Sequence, residues 1–267
     1  MADKFILTPG GYRRASTVRE IREDSVVRDM QGYAQLLDGN NQVLMHVADA
    51  IDPVAAVPAS NPGWVADAAY QNTSGAPIQI FASTWIVPNP PSQNDNQLIY
   101  LFNGLEQAAN SPGILQPVLQ WGYSDYGGGP FWSVASWYVM PDNSAFRTPL
   151  IPVNPGTVLT GRMTLTGQGG GVFNYDCEFV GIAGTTLHAS SISELAWCYE
   201  TLEAYNITGN VDYPVDPSVR FSNIPIQTTA GALAVNWAAA PPAATGQRTV
   251  IVPPAQGNAA LVDLYFR

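Results

Sequence analysis

The sequence is short of charged residues. Only 12% of its 267 residues are charged, and 11 basic residues against 21 acidic ones give a formal net charge of −10. The basic residues form no run that could follow a nucleic-acid backbone or an anionic membrane surface. Helical surfaces usually carry many Lys, Glu and Arg, so the composition also argues against a helical protein. We expect neither a nucleic acid nor a membrane among the partners.

Metal ligands and long apolar runs are equally scarce. The two histidines, His46 and His188, and the two cysteines, Cys177 and Cys198, have neither the spacing of a zinc site nor that of a disulfide framework. We therefore expect no metal and no cofactor, and two buried thiols are favoured over a disulfide. No apolar stretch reaches the roughly 20 residues of a membrane-spanning helix. No secretory signal is visible, which leaves a cytoplasmic protein or a leaderless form of a secreted one.

What the sequence does contain is turn formers and β-forming residues. It has 24 Gly and 22 Pro, and 10% of its residues are aromatic. Short runs rich in Val, Ile, Thr, Tyr and Trp alternate with Gly, Pro and Asn, a pattern typical of a sandwich or barrel. The predicted strands are 78–87, 97–103, 115–121, 131–139, 158–166, 172–181, 194–205, 219–229, 233–238, 249–252 and 260–266. The fold class predicted is all-β, a two-sheet antiparallel sandwich.

The first 60 residues form an N-terminal extension in this prediction. Residues 34–47 hold two apolar runs around Asp38-Gly39-Asn40-Asn41, a good hairpin signal. Residues 13–30 are equally compatible with a helix or a strand. The Pro-rich residues 52–63 are typical of a linker, so we place the sandwich domain at residues 61–267, with the extension as an activation-like or docking segment.

Aromatic residues, carboxylates and amides gather between residues 84 and 205. One interpretation is that the tryptophans form the core of the sandwich; the other is that several of them line a cleft. With His and metals set aside, carboxylates and amides remain as the candidates for catalysis.

The order of short motifs in this region resembles the glutamic endopeptidases called eqolisins. The motifs that carry the resemblance are Trp85-Ile86-Val87-Pro88, Gly104-Leu105-Glu106, Leu119-Gln120-Trp121-Gly122, Trp137-Tyr138 with Pro141, Pro155-Gly156, and Trp197-Cys198-Tyr199-Glu200. They occur in the family's order and cover about residues 78–205. The resemblance implies a concanavalin A-like, jelly-roll sandwich.

The same resemblance implies a chemistry. Glu200 matches the family's catalytic glutamate, and Gln120 matches its catalytic glutamine. Glu200 would activate a water molecule that attacks a peptide bond, and Gln120 would orient the water and donate to the developing oxyanion. The candidate substrate-binding residues are Trp121, Trp137, Tyr138 and Glu106. The expected partner is a polypeptide, and no cofactor is required.

Three acidic positions of the family are replaced in this chain, by Thr157, Ser136 and Ala196. Two hypotheses therefore stay open: a divergent, acid-acting peptidase, or a lectin on the same sandwich whose partner is a glycan. A peptidase requires that Gln120 and Glu200 face one cleft. A lectin would instead show exposed Trp or Tyr beside Asn or Asp at the end of a loop. The sequence leaves the oligomeric state open.

Overall fold

The computed structural model describes residues 4–30, 32–47, 63–107, 113–141, 143–253 and 260–267. In these ranges the regular structure is β-strand, apart from two 3₁₀ turns at Ala15–Thr17 and Asn210–Asp212. No helix in the described ranges is long and apolar enough to span a membrane. The predicted linker lies outside the described residues, except for Gly63.

The strands follow one another closely. In chain order they are β1 (Phe5–Thr8), β2 (Gly11–Arg14), β3 (Val18–Glu20), β4 (Val26–Asp29), β5 (Ala34–Leu37), β6 (Val43–Val47), β7 (Trp64–Gln71), β8 (Ile78–Ile86), β9 (Leu98–Glu106), β10 (Ile114–Ser124), β11 (Gly127–Val139), β12 (Ala145–Arg147), β13 (Ile151–Val153), β14 (Val158–Gly169), β15 (Val172–Phe179), β16 (Leu187–Ile192), β17 (Trp197–Tyr205), β18 (Ser218–Phe221), β19 (Ile226–Thr228), β20 (Gly231–Ala232), β21 (Ala238–Ala239), β22 (Arg248–Val252) and β23 (Leu261–Tyr265).

Two nine-stranded sheets form the body of the protein. The first has the order β21-β7-β17-β9-β10-β11-β12-β3, with β13 also paired to β11, and the second has the order β20-β19-β8-β14-β15-β16-β4-β5-β6. A three-stranded sheet, β18-β23-β22, and the hairpin β1-β2 complete the structure. Large apolar side chains from both nine-stranded sheets, including Trp85 and Trp132, share one continuous core. The predicted all-β sandwich is therefore confirmed.

Most predicted strands are present at close to the predicted bounds, because each apolar run ends at a Gly, Pro or Asn turn. The hairpin around Asp38 is the β5-β6 pair, and the ambiguous residues 13–30 form short strands and one 3₁₀ turn. The predicted strand 233–238 is wrong. Leu233, Val235 and Trp237 pack singly onto the core without joining a ladder there. The predicted strand 219–229 is two strands, β18 and β19, that belong to different sheets.

The N-terminal residues are part of both large sheets. Strand β3 pairs in parallel with β12 at the edge of the first sheet. Strand β4 pairs in parallel with β16 and brings β5 and β6 into the second sheet. All the other strand pairs described are antiparallel. The hairpin β1-β2 lies over the outer face of the first sheet, where Ile6 joins a second apolar cluster with Tyr100 and Phe102.

Candidate active site

The register of the first sheet decides which side chains can meet. Gln120 on β10 pairs with Tyr100 on β9, and Tyr100 pairs with Glu203 on β17. Paired residues on adjacent strands point to the same face, and successive residues of a strand alternate between faces. Gln120, Tyr100 and Glu203 therefore share the outer face. Glu200 pairs with Asn103, and because it lies three residues from Glu203 it points to the inner face.

The expected catalytic pair, Gln120 and Glu200, is thus divided between the two faces of one sheet. The structure does not bring the two side chains together. Matching short sequence motifs could not show this division. Motifs locate a residue within a strand, but the face of the sheet to which it points depends on how the strands pair.

Glu200 lies between the two sheets. Its side chain is fully buried, and Ser83 Oγ of the second sheet donates a hydrogen bond to its Oε1. Burial raises the pKa of Glu200 well above its ordinary value, which favours the neutral form of the carboxyl group. Glu200 Oε2 and the facing Asn103 Oδ1 both lack a hydrogen-bond partner among the described residues. A protonated carboxyl group and an amide oxygen are complementary, so this environment suits a neutral structural acid.

Gln120 is also buried, but under the outer face. Its Nε2 donates to the carbonyl oxygens of Gly122 at 3.1 Å and Gly127 at 3.3 Å, which lie in the β10-β11 turn. Its Oε1 has no hydrogen-bond partner in the described part of the chain. The side-chain NH₂ group of Gln120 therefore already donates to backbone oxygens around the turn. Its Oε1 is the atom that could accept a hydrogen bond from a water molecule or a ligand.

Glu203 is the carboxylate that shares a face with Gln120. The side chain is fully buried, and its two oxygens accept the backbone N–H of Gly10 at 2.9 Å and 3.0 Å. Tyr205 also donates a hydrogen bond to Glu203 Oε1. Burial raises the pKa of Glu203 to about 8, although the hydrogen bonds from Tyr205 and Gly10 and the charge of Arg13 oppose the rise.

A second titratable carboxyl group lies beside Glu203 on the outer face. Asp67 on β7 pairs with Thr201 on β17, one position along the same face from Glu203. Such diagonal neighbours are typically about 7–8 Å apart. Burial raises the pKa of Asp67 to about 6. The sequence analysis did not single out Asp67 or Glu203, and the only signal for Glu203 is its place three residues after Glu200.

The outer face carries an unusual number of buried polar atoms. Among the described residues, hydrogen-bond partners are lacking for both amide atoms of Gln116, Thr201 Oγ1, Tyr100 OH, Trp137 Nε1 and Gln120 Oε1. Buried polar atoms cost free energy unless they are paired with protein, water or ligand atoms. The core between the sheets also holds such atoms, among them Trp85 Nε1 and Trp132 Nε1, so the outer face is polar and apolar in turn.

The β1-β2 hairpin covers this surface. Gly10 stands at the hairpin turn and reaches Glu203, and Lys4 at the start of the segment forms an ion pair with Asp125. Glu20 on β3 forms an ion pair with Arg147 at 2.8 Å. The hairpin therefore covers Glu203, while the glycines around the β10-β11 turn lie against Gln120.

The four expected substrate-binding residues are also split between the faces. Trp137 and Glu106 lie on the outer face, in rows with Gln116 and Ile114. Trp121 and Tyr138 lie in the core between the sheets, and the rings of Trp121 and Trp132 are 5.4 Å apart. No group of three or more His, Cys, Asp or Glu within the described ranges could hold a metal ion.

Comparison with known proteins gives structural resemblances only. No family model matches the sequence, and no curated protein matches it. Scytalido-glutamic peptidase, solved with a peptide-based transition-state analog, is 14% identical, with 76% of this chain and 98% of that chain covered and a TM-score of 0.47. SCP-B, a member of the eqolisin family solved with the tripeptide Ala-Ile-His, is 12% identical with the same coverage and a TM-score of 0.43.

Proposed function

We propose that the chain is a peptidase-like hydrolase whose catalytic carboxyl group is Glu203, with Gln120 as its amide partner on the outer face of the first sheet. The observation that carries the proposal is the contact between Glu203 and Gly10. Both carboxyl oxygens accept the main-chain N–H group of Gly10, on the same sheet face as Gln120, whose Oε1 has no hydrogen-bond partner among the described residues. The site thus already holds a polypeptide segment against its carboxyl group.

Burial of Glu203 under the hairpin has a chemical consequence. With a pKa of about 8, the carboxyl group is mostly protonated at neutral pH and cannot accept a proton. When a substrate displaces the hairpin and water enters, the desolvation that raises the pKa is reduced, and the pKa falls towards the ordinary value of a glutamate. The hairpin therefore both covers Glu203 and keeps it inactive as a base.

The reaction follows from the positions of the two side chains. Ionised Glu203 takes a proton from a water molecule while the water oxygen bonds to the peptide carbonyl carbon. Gln120 Oε1 accepts the second hydrogen of that water and fixes its orientation. Glu203 then gives its proton to the leaving nitrogen as the C–N bond breaks. No cofactor takes part.

Removal of the hairpin tests this proposal. A chain that lacks residues 1–14 keeps β3–β6 in the sheets and is checked for folding by near-ultraviolet circular dichroism. Cleavage of a denatured protein is followed from acidic to neutral pH in the full chain, the shortened chain, and shortened chains carrying Glu203→Gln or Glu200→Gln. We expect slow cleavage by the full chain, where substrate has to displace the hairpin, and much faster cleavage after shortening. In the shortened chain, cleavage should be lost in Glu203→Gln and retained in Glu200→Gln.

Two results would contradict the proposal. If Glu200→Gln abolishes cleavage and Glu203→Gln retains it, the catalytic carboxyl group is that of Glu200 and not that of Glu203. A folded, shortened chain that cleaves nothing would refute the hydrolase.

A glycan-binding function is the second candidate, and one observation favours it. Tyr123, 58% exposed, stands beside Ser124 and Asp125 at the end of β10. It lines an open groove of about 340 Å³ with Tyr12 and Asn206. Exposed aromatic faces beside polar groups suit sugar rings. Binding to a glycan array that is lost in Tyr123→Ala would support this function, and no binding by the full chain would exclude it.

A further inference from the structure

A polar groove lies on the outer face of the second sheet, on the opposite side of the sandwich from Glu203. Its volume is about 340 Å³, and its polar lining includes Arg28, Asn174, Asp176, His188 and Ser190. Arg28 on β4 pairs directly with Ser190 on β16. Asn174 and Asp176 lie on the next strand, β15, and Asp176 pairs with His188.

Arg28 differs from three other arginines of the chain, whose side chains are held by ion pairs. Ion pairs hold Arg147 to Glu20, Arg162 to Glu178 and Arg220 to Asp263. Arg28 is half-buried, yet it has neither an ion pair nor a hydrogen bond within the described residues. The chain has a net charge of −10, yet this half-buried guanidinium has no acidic partner among the described residues. Because a partly desolvated charge is unfavourable without a counter-charge, an anion from outside the chain would stabilise it.

Neutral donors stand next to this charge. Ser190 Oγ is buried and has no hydrogen-bond partner among the described residues. The Asn174 side-chain oxygen accepts the backbone N–H of Ser191 at 2.9 Å, which leaves the two hydrogens of its amide nitrogen as donors. Charge-assisted bonds from a guanidinium, supported by neutral donors, are the usual means of holding carboxylate and phosphate groups.

The one carboxylate in the groove does not oppose an anion. Asp176 Oδ1 lies 2.6 Å from His188 Nδ1, and this hydrogen bond raises the pKa of His188 above its usual value. The hydrogen bond and the nearby charge of Glu23 favour the charged form of His188, which offsets part of the negative charge of Asp176.

We propose that this groove binds an oxyanion, a carboxylate or phosphate group of a small ligand, with Arg28 as the charged donor and Asn174 and Ser190 as neutral donors. The site is independent of the proposed hydrolase. It shares no residue with the outer face of the first sheet.

The test uses the full chain and two simple probes, inorganic phosphate and acetate, at constant ionic strength because salt screens exposed charges. Binding is followed by calorimetry and by the NMR signal of the Asn174 side-chain amide. Arg28→Gln removes the charge at the site. Arg22→Gln is the matched control, because Arg22 is exposed and lies in the same segment.

We expect saturable binding of at least one probe, with a shift of the Asn174 amide signal. Arg28→Gln should weaken the affinity by about tenfold or more, and Ser190→Ala by a smaller factor. Arg22→Gln should leave it unchanged. Tighter binding of phosphate indicates a phosphorylated ligand, and tighter binding of acetate indicates a carboxylate.

Two results would overturn the proposal. One is a folded wild-type protein whose Asn174 amide signal responds to neither probe. The other is an equal loss of affinity in Arg28→Gln and Arg22→Gln. That result would mean that the anionic probes are attracted to positive side chains in general and not to this groove. Thermal unfolding of each variant shows whether a loss comes from the groove or from misfolding.

Discussion

Ser83 on β8 donates a hydrogen bond to Glu200 on β17 across the space between the two sheets. It is a polar contact inside an apolar core, and it explains why a glutamate can be fully buried there. A neutral carboxyl group can accept from Ser83 with one oxygen and donate from the other. An ionised one would lack compensation, because no cation lies among its described contacts.

The first prediction concerns stability and pH. The pKa of Glu200 is raised from 4.5 in the folded chain, so its contribution to stability is fully present below pH 4.5 and is lost as the pH rises towards the folded pKa. Asp67, Glu203 and His188 also have raised pKa values and act in the same direction. We expect the melting temperature to be higher near pH 5 than near pH 8.

Glu200→Gln isolates the part due to Glu200. Gln keeps an acceptor for Ser83 and cannot ionise, so the variant should lose less stability than wild type as the pH rises, by at most about 1.4 kcal/mol per pH unit. The two proteins should converge near pH 4. Parallel stability curves for the two proteins from pH 5 to 9 would show that Glu200 does not titrate in this range.

The second prediction concerns the close approach of the two sheets at Gly161. A Cβ atom at this position would lie 2.4 Å from Asn103 Oδ1, 2.6 Å from Pro117 Cγ and 3.0 Å from Trp85 Cη2. Gly161→Ala should therefore reduce the free energy of unfolding by about 3 kcal/mol, as overpacking a core does. Chemical denaturation measures the loss.

Gly169 offers a matched control for that substitution. It lies on the same strand, and a Cβ atom there would meet nothing within 4 Å. Gly169→Ala should change stability by no more than about 0.5 kcal/mol. Equal effects of the two substitutions would mean that the sheets are further apart at Gly161 than described.

The third prediction concerns the docking of the hairpin. Glu203→Ala leaves the buried N–H of Gly10 without its acceptor, which costs about 1–3 kcal/mol. Hydrogen exchange of the Gly10 amide should accelerate by about tenfold or more. Glu203→Gln keeps an acceptor oxygen and should accelerate exchange much less. If Gly10 exchanges at the same rate in all three proteins, the contact does not hold the hairpin.

The fourth prediction concerns the two cysteines. Cys177 on β15 and Cys198 on β17 are free and buried, and burial raises the pKa of both thiols. Since the thiolate is the reactive form, the folded protein should not react with a thiol reagent in mildly alkaline buffer. Unfolding without reductant should release two reactive thiols per chain. Two unreactive sulfurs after unfolding would reveal a disulfide.

The sequence predicts where strands lie better than which face each residue points to, and β17 shows why. Strand existence follows from composition and turn residues, which mark the ends of β10, β14 and β15 clearly. The face of a residue follows from alternation between apolar and polar positions, and β9, β10 and β17 have none, because the hairpin buries their outer face as well. Glu200 and Glu203 are therefore both buried, and only the register tells them apart.

The other features that the sequence did not predict depend on contacts between residues far apart in the chain. The role of Gly10 depends on a contact with Glu203 that no local pattern encodes. Trp121 and Trp137 belong to similar aromatic strands, yet one lies in the core and the other on the outer face. The prediction of a strand at 233–238 was wrong for a related reason. Its apolar and polar residues alternate because Leu233, Val235 and Trp237 each contact the core separately, and not because the segment pairs with a strand.

The two parallel strand pairings bear on how the chain folds. Val18 pairs with Ala145, and Val26 pairs with His188, so both strands are translated well before the strands with which they pair. We expect these two strands to dock late and slowly in folding. Closing the long loops between the paired residues lowers the entropy of the chain before the strand contacts form. Once these strands have docked, the hairpin that precedes them places Gly10 against Glu203.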